Sequence, residues 1–210
     1  MHIKKSDPSV KKILQSPPLC YNKPYNKKNG NNRVFPSGHN IRRHPKENAM
    51  RANNLTLLTD LYELTMMQGY FKNPVQETVI FDAFYRSNPC GNGFAIAAGL
   101  DQVIDYIKNL HFAKEDVDYL RSLQIFDEDF LNYLENFHFT GDVYAIPEGT
   151  VVFPREPLVK VIAPIMEAQL VETAVLTIIN HQSLIATKAA RVVNAARGDG
   201  IMEFGLRRAQ

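Results

Sequence analysis

This sequence has few cysteines, no long apolar run and no apolar leader. Its two cysteines, Cys20 and Cys90, cannot form a framework of disulfide bridges, which indicates a reducing compartment. No stretch reaches the roughly 18 consecutive apolar residues of a membrane span. The first residues read MHIKKSDP and lack the apolar core of a signal peptide. These absences predict a cytoplasmic protein without a membrane partner.

The charge of the chain is unevenly distributed, although the formal net charge is only +2. Residues 1–49 contain 11 Lys and Arg against two acids, so the other residues carry 13 Lys and Arg against 20 acids. The folded body is therefore acidic, and no nucleic-acid partner is expected for it. RNA binding through the basic N-terminal segment remains an alternative, and such binding would fall steeply with salt.

Composition divides the chain into three regions. Residues 1–49 hold six of the twelve prolines and seven asparagines without helical or strand periodicity, so we expect a disordered basic tail or a misassigned extension, with Met50 as the true start. We expect an N-terminal α/β domain over residues 50–140. Residues 141–210 are expected to form a small antiparallel sheet, a long helix and a first barrel strand. The six histidines show no grouping at metal-ligand spacing.

Periodicity predicts the individual elements. A helix begins near Asp60, with Glu63 at capping-box spacing, and runs to about Phe71. The polar residues of the last predicted helix form one stripe, which we expect to face solvent, with a ligand groove or a partner subunit as alternatives. These residues are Asn180, Ser183, Thr187, Arg191 and Asn194. The other predictions are a hairpin of strands 77–86 and 94–97, helices over 101–110, 114–123 and 127–136, strands at 142–146, 150–153 and 158–163, and one or two helices over 166–197.

The candidate binding residues lie at predicted element ends. Residues 201–203 predict a short strand, followed by Phe204, Gly205, Arg207 and Arg208. In βα units, ligands gather beyond the carboxyl ends of strands, where an aromatic face suits a planar ring and guanidinium groups suit phosphates. Tyr62 in a first helical turn and Arg86 at a strand end could serve similarly. Alternatively, Tyr62 only packs against the core, and the arginines are ordinary solvated surface residues without a ligand.

Four motifs in order resemble nicotinate phosphoribosyltransferase. They are LTDLYELTM at 58–66, FYRSNP at 84–89, LIATKAAR at 184–191 and EFGLRRAQ at 203–210. The resemblance covers about residues 53–210. It implies an α/β fold of the type II phosphoribosyltransferases, in which an α/β N-terminal domain (α+β in character) leads into an irregular α/β barrel. The family's chain continues past Gln210, so the resemblance implies a fragment that ends inside the barrel and is inactive alone.

The resemblance also implies an activity and a site. The enzymes join nicotinate to phosphoribosyl pyrophosphate in NAD biosynthesis, with ATP as co-substrate, Mg²⁺ as cofactor and a homodimer as the usual assembly. Tyr62, oriented by Asp60 and donated across the dimer, would stack on one face of nicotinate, and Phe204 would stack on the other. Arg207, Arg86 from the partner subunit and, less directly, Arg208 would bind phosphate. The family's catalytic residues lie outside this chain.

Two other interpretations stay open. The nicotinamide enzymes share the fold, although Leu61 beside Tyr62 and the Leu206-Arg207-Arg208 run favour nicotinate. A non-catalytic dimerisation or interaction module would have kept the dimer surface without the chemistry.

Overall fold

The computed structural model describes residues 2–4, 54–75, 77–88 and 91–205, which all belong to one compact unit. Eleven elements occur in these residues. In chain order they are β1 His2–Lys4, α1 Leu61–Lys72, β2 Thr78–Ala83, β3 Ala95–Ile96, α2 Leu100–Asn109, α3 Lys114–Ser122, α4 Glu128–Glu135, β4 Asp142–Ala145, β5 Val151–Val152, β6 Val159–Pro164 and α5 Ile165–Ala196.

The strands form two antiparallel sheets. The larger has the order β1-β4-β6-β2, and the smaller pairs β3 with β5. Strand β6 is central because both its edges are paired: Val161 lies opposite Val143 of β4 and opposite Phe81 of β2. Val159, Val161 and Ala163 are buried, as the period-2 alternation of a half-buried strand requires. The result confirms a mixed helix and strand fold for the N-terminal part.

The predicted hairpin between residues 77–86 and 94–97 is wrong. β2 instead pairs along its whole length with β6, and β3 pairs with β5. The predicted antiparallel sheet over 142–163 is correct for β4 and β6, whereas β5 belongs to the smaller sheet. Strand pairing is decided by side-chain packing on a shared core rather than by nearness in sequence, and the apolar strand β6 offers β2 a larger buried face than β3 does.

The three middle helices are confirmed, and aromatic rings of α4 and of the loops next to it form a cluster with Phe71 of α1. Phe130 of α4 is fully buried and has ring contacts with Phe71 of α1, at 5.8 Å between centroids, and with Tyr133 at 6.3 Å. Phe112 and Phe137 meet edge to face at 5.8 Å. Aromatic pairs of this geometry contribute beyond the burial of their area. The cluster therefore fixes α1 against α4.

Residues 165–196, which the sequence left as one or two helices, form a single helix of 32 residues. It contains neither glycine nor proline, so nothing interrupts its backbone hydrogen bonds. At 1.5 Å per residue, α5 is about 48 Å long. It packs on α1, on α2 and on the strands β2, β3 and β6, and Leu170, Val171 and Ala174 in its first half are buried. No helix in the described part of the chain is long and apolar enough to cross a membrane.

The polar stripe of α5 divides in two. Asn180, Arg191 and Asn194 face solvent as expected, but the prediction is wrong for Ser183 and Thr187, which are buried. The hydroxyl of Thr187 accepts a bond from the Ile96 N–H at 2.9 Å, and the Ser183 hydroxyl accepts from the Ala98 N–H at 3.0 Å. These hydroxyls complete the backbone hydrogen bonding of the β3 segment, a role that helical periodicity alone cannot reveal.

Two predicted features at the ends of the chain change. Residues 201–205 form no strand, and none of the described strands pairs with them. Within the segment predicted to be a disordered tail, His2–Lys4 instead form the edge strand β1 on β4. An edge strand pairs with its neighbour through backbone hydrogen bonds, so the sequence of β1 does not need an apolar pattern. Residues 5–53 lie outside the described residues, and the barrel remains a prediction.

Candidate substrate-binding site

Tyr62 lies in the first turn of α1, and half of its surface (50%) is exposed. Asp60 is the N-cap residue, in extended backbone conformation, but its side chain makes no cap hydrogen bond. The capping box predicted from Asp60 and Glu63 is therefore not formed. The turn is instead closed by the Glu63 N–H, which donates to the Asp60 carbonyl at 3.0 Å. An exposed ring on a helix end is available to a planar ligand.

Glu63, the residue after Tyr62, is fully buried. The Thr59 hydroxyl donates to Glu63 Oε2, and the Thr173 hydroxyl on α5 donates to Oε1 at 2.9 Å. The Thr173 oxygen also lies 3.4 Å from Asp60 Oδ2. The Thr173–Glu63 bond joins the first turn of α1 to α5, since the single hydroxyl proton of Thr173 is donated to the nearer Glu63 oxygen. Sequence reasoning assigned Glu63 to a cap and missed Thr173, because these two residues lie 110 positions apart.

The local charges act on the Tyr62 phenol. Desolvation raises the pKa of Tyr62, and the carboxylates of Glu172, Glu63 and Asp60 raise it further. Burial likewise raises the pKa of Glu63, while the hydroxyls of Thr59 and Thr173 act in the opposite direction. The phenol is neutral at physiological pH already at its ordinary pKa of 10.0, and the upward shift of the pKa acts in the same direction. Tyr62 thus presents an uncharged ring and a hydrogen-bond donor.

A groove of about 340 Å³ runs between α5 and strands β2 and β6, next to this region. Glu172, whose charge acts on Tyr62, lies on its wall together with Asp82, which pairs with Lys160 at 2.8 Å. The remaining lining is apolar: Ile80, Phe81, Ala83, Val159, Val161, Ala168, Val171, Val175 and Leu176. An apolar wall with a carboxylate suits an anion poorly. The groove is therefore not a pocket for a carboxylate or phosphate ligand.

Arg86 is exposed and lies three residues beyond the end of β2. The preceding residue, Tyr85, is anchored on both sides: its carbonyl accepts the Arg155 N–H at 2.7 Å, and its hydroxyl donates to the Asn180 carbonyl of α5 at 3.4 Å. Asn180 is seven residues beyond Thr173, or about 10 Å along the helix. The segment with Arg86 is therefore anchored to α5 at Asn180, whereas the turn with Tyr62 is anchored to α5 at Thr173, about 10 Å earlier in the helix.

Phe204 follows the C-terminal end of α5, and 76% of its surface is exposed. The α1 segment with Tyr62 is bonded to α5 at Thr173, which is 23 residues, or about 35 Å, before the last helical residue, Ala196. No ring contact joins Tyr62 and Phe204 within the described ranges. Arg207 and Arg208 lie outside the described residues.

The structure thus brings Asp60 and Tyr62 together and separates them from the helix end that precedes Phe204. We call Tyr62, with the carboxylates of Asp60 and Glu63 beside it, the Tyr62 half-site, because it offers a neutral aromatic ring to only one face of a planar ligand. Phe204 is a second exposed ring, and it contacts no other ring in the described part of this chain. No group of three His, Cys, Asp or Glu side chains among the described residues could hold a metal ion.

Comparison with known proteins first defines the class. The fold matches the crystal structure of human nicotinic acid phosphoribosyltransferase with a TM-score of 0.66 and 36% identity, over 72% of this chain and 31% of that chain. The nicotinate phosphoribosyltransferase pncB2 of Mycobacterium tuberculosis is 50% identical over 161 residues, which are 77% of this chain and 35% of the relative. The Bacillus subtilis nicotinate phosphoribosyltransferase is 43% identical over 164 residues, which are 78% and 34%.

Residues 57–180 match the family model of the nicotinate phosphoribosyltransferase N-terminal domain. The chain belongs to this family, which is a family of enzymes, and the resemblance read from the four motifs is confirmed. The matched residues include α1 with Tyr62, Arg86 three residues after β2, and Thr173 on α5. The chain spans about a third of the length of the relatives that it matches.

Proposed function

We propose that the protein to which this chain contributes joins nicotinate to phosphoribosyl pyrophosphate, forming nicotinate mononucleotide and pyrophosphate in NAD biosynthesis. The observation that carries this proposal is the family match over residues 57–180, which spans the Tyr62 half-site, together with 50% identity to a relative that is named for nicotinate. The two relatives compared above and the human structure carry nicotinate or nicotinic acid in their names, which favours nicotinate over nicotinamide.

We propose a site that is shared between two subunits of a homodimer. In this arrangement, Tyr62 of one subunit stacks on one face of nicotinate, and Phe204 of the other subunit stacks on the opposite face. The long separation of their anchoring points along α5 supports two chains rather than one. Arg207, Arg208 and Arg86 bind the phosphates, since guanidinium groups match phosphate oxygens in pairs. Asp60 supports Tyr62 from the N-cap.

The chemistry assigned to these residues is binding and orientation. Two aromatic planes that hold the flat ring set its nitrogen toward the sugar carbon, and fixed arginine charges stabilise the negative charge that develops on the departing pyrophosphate. The proposal also includes ATP as a co-substrate and Mg²⁺ as a cofactor, both of which the resemblance to the family implies. When bound, Mg²⁺ would assist the departure of pyrophosphate. Among the described residues, no group of three His, Cys, Asp or Glu side chains could hold this ion. A cytoplasmic location fits the low cysteine content.

A chimera tests the proposal. Residues 54–210 replace the matching N-terminal third of the Bacillus subtilis relative, and transfer of the phosphoribosyl group to labelled nicotinate or nicotinamide is measured. We expect nicotinate mononucleotide from the chimera and none from the 210-residue chain alone. Tyr62→Ala should raise the KM for nicotinate roughly tenfold or more, because a stacking partner is lost.

Tyr119→Ala is the matched control, because Tyr119 on α3 is similarly exposed (56%, against 50% for Tyr62) and lies on another helix. A folded chimera without transferase activity would contradict the proposed function. Equal kinetic effects of the Tyr62 and Tyr119 substitutions would contradict the assignment of Tyr62.

A further inference from the structure

The first observation concerns the environment of Glu63. A buried carboxylate is costly unless it is paired, and no Lys or Arg pairs with Glu63 in the part of the chain that the structure describes. Two threonine hydroxyls, from Thr59 and Thr173, take up its two oxygens instead. Removal of either hydroxyl would leave a buried charge partly unsatisfied, so the position of Glu63 depends on these bonds.

The second observation concerns the element on the other side of the bond. Thr173 lies in the first half of α5 and is half-buried, and the two residues that follow it, Ala174 and Val175, have little or no exposed surface. Its hydroxyl is within reach of both Glu63 and Asp60, which flank Tyr62 in the sequence. The exposed Tyr62 ring therefore takes its direction from a turn that is bonded to α5 through Glu63, the residue next to Tyr62.

We propose that Glu63 and Thr173 are positioning residues for Tyr62, holding the first turn of α1 on α5 so that the ring faces the ligand. That the ring faces a ligand rests on the proposed function, whereas the statement that these two residues hold the ring in one direction does not. A preset ring direction lowers the cost of ordering it when a planar ligand binds.

Several titratable groups face Glu63. Asp60 and Tyr62 lie on its own segment, Glu172 lies on α5 and Tyr106 lies on α2. Burial raises the pKa of Tyr106, and the charge of Glu63 raises it further. The Tyr106 hydroxyl is buried and has no hydrogen-bond partner among the described residues. The Glu63 carboxylate is thus surrounded by other acidic groups and by phenols. The hydroxyls of Thr59 and Thr173 are the neighbours that favour its charged form.

The first test uses the 210-residue chain, which contains no tryptophan. Tyr62→Trp supplies the single tryptophan at the position in question, and its steady-state anisotropy, excited selectively over the remaining tyrosines, reports how firmly the side chain is held. We expect Thr173→Val to lower the anisotropy and Thr173→Ser, which keeps the hydroxyl, to restore it. Thr177→Val is the matched control, because Thr177 is an exposed threonine one turn farther along α5.

The second test uses the chimera with the natural Tyr62. Thr173→Val should raise the KM for nicotinate about tenfold, the equivalent of one hydrogen bond, while kcat stays within about twofold. In the Tyr62→Ala background the same change should have little further effect, because positioning acts through the missing ring. If the Thr173→Val variant does not fold, Glu63→Gln replaces it, and its effect on the KM is measured both with the natural Tyr62 and in the Tyr62→Ala background.

The outcomes separate the two proposals. An inactive but folded parent chimera contradicts the proposed function, and the anisotropy test still decides on positioning. Equal anisotropy in the Thr173→Val and Thr177→Val variants would overturn the positioning role. So would a KM effect of Thr173→Val that persists undiminished in the Tyr62→Ala background, because that result indicates a structural role that is independent of the ring.

Discussion

Ser183 joins α5 to the β3 segment through one side chain with two bonds, and its removal should be measurable. The hydroxyl accepts the Ala98 N–H at 3.0 Å and donates to the Ala98 carbonyl at 3.1 Å. Ser183→Ala would leave both backbone groups without these partners. Because Ala98 is half-buried, each lost bond should cost about 0.5–1.5 kcal/mol, so the free energy of unfolding should fall by roughly 1–3 kcal/mol.

The assay is urea unfolding of the 210-residue chain followed by far-ultraviolet circular dichroism, with linear extrapolation to water. Ser122→Ala is the matched control: Ser122 is exposed, and its hydroxyl donates to the Tyr119 carbonyl at 2.6 Å within the same helix. That variant should change stability by less than about 0.5 kcal/mol. A loss below about 0.5 kcal/mol for Ser183→Ala would refute the reasoning, since it would show that water replaces the hydroxyl at no cost.

Two further predictions concern Glu63 and Gly141. Because burial raises the pKa of Glu63 in the folded state above its ordinary value of 4.5, this residue favours folding below pH 4.5, and that contribution is lost as the pH rises through the folded-state pKa. The stability of Glu63→Gln relative to the parent should therefore increase as the pH rises from 4.5 to 7 in parallel urea titrations. The exposed Glu115→Gln variant controls for the loss of one charge, and a flat difference for Glu63→Gln would contradict the argument. A Cβ at Gly141 would lie 2.4 Å from the Ala163 Cβ and 2.7 Å from the Ile162 carbonyl oxygen, so Gly141→Ala should cost about 1–3 kcal/mol through overpacking. Gly200→Ala meets no atom within 4 Å and should be tolerated; equal midpoints for the two variants would show that β4 and β6 separate without cost.

The sequence was sufficient where a local pattern has one solution. The apolar periodicity of α2, α3 and α4, bounded by turns, predicts three amphipathic helices at nearly the observed bounds. The absence of proline and glycine from residues 165–196 is what makes α5 continuous. The four motifs, taken together, indicated the family that the comparisons show.

Pairing over long distances was not readable from the sequence. The strands 78–83 and 95–96 are near neighbours in the chain, yet each pairs with a later strand because β6 and β5 complete their buried faces. Ser183 and Thr187 have the spacing of a solvent-facing stripe, and only the nearness of β3 gives them backbone partners. Periodicity describes one element and does not identify the surface that lies opposite.

The candidate site shows the same division. Residue type and motif alone singled out Tyr62 as a ring for a planar ligand and assigned Arg86, Arg207 and Arg208 to phosphate, roles that remain predictions. The tertiary structure decided that Glu63 is no cap and that Thr173, 110 residues away, bonds to it beneath Tyr62. Side-chain chemistry is a property of each residue and can be read locally, whereas burial and hydrogen-bond partners arise only when distant segments share one core.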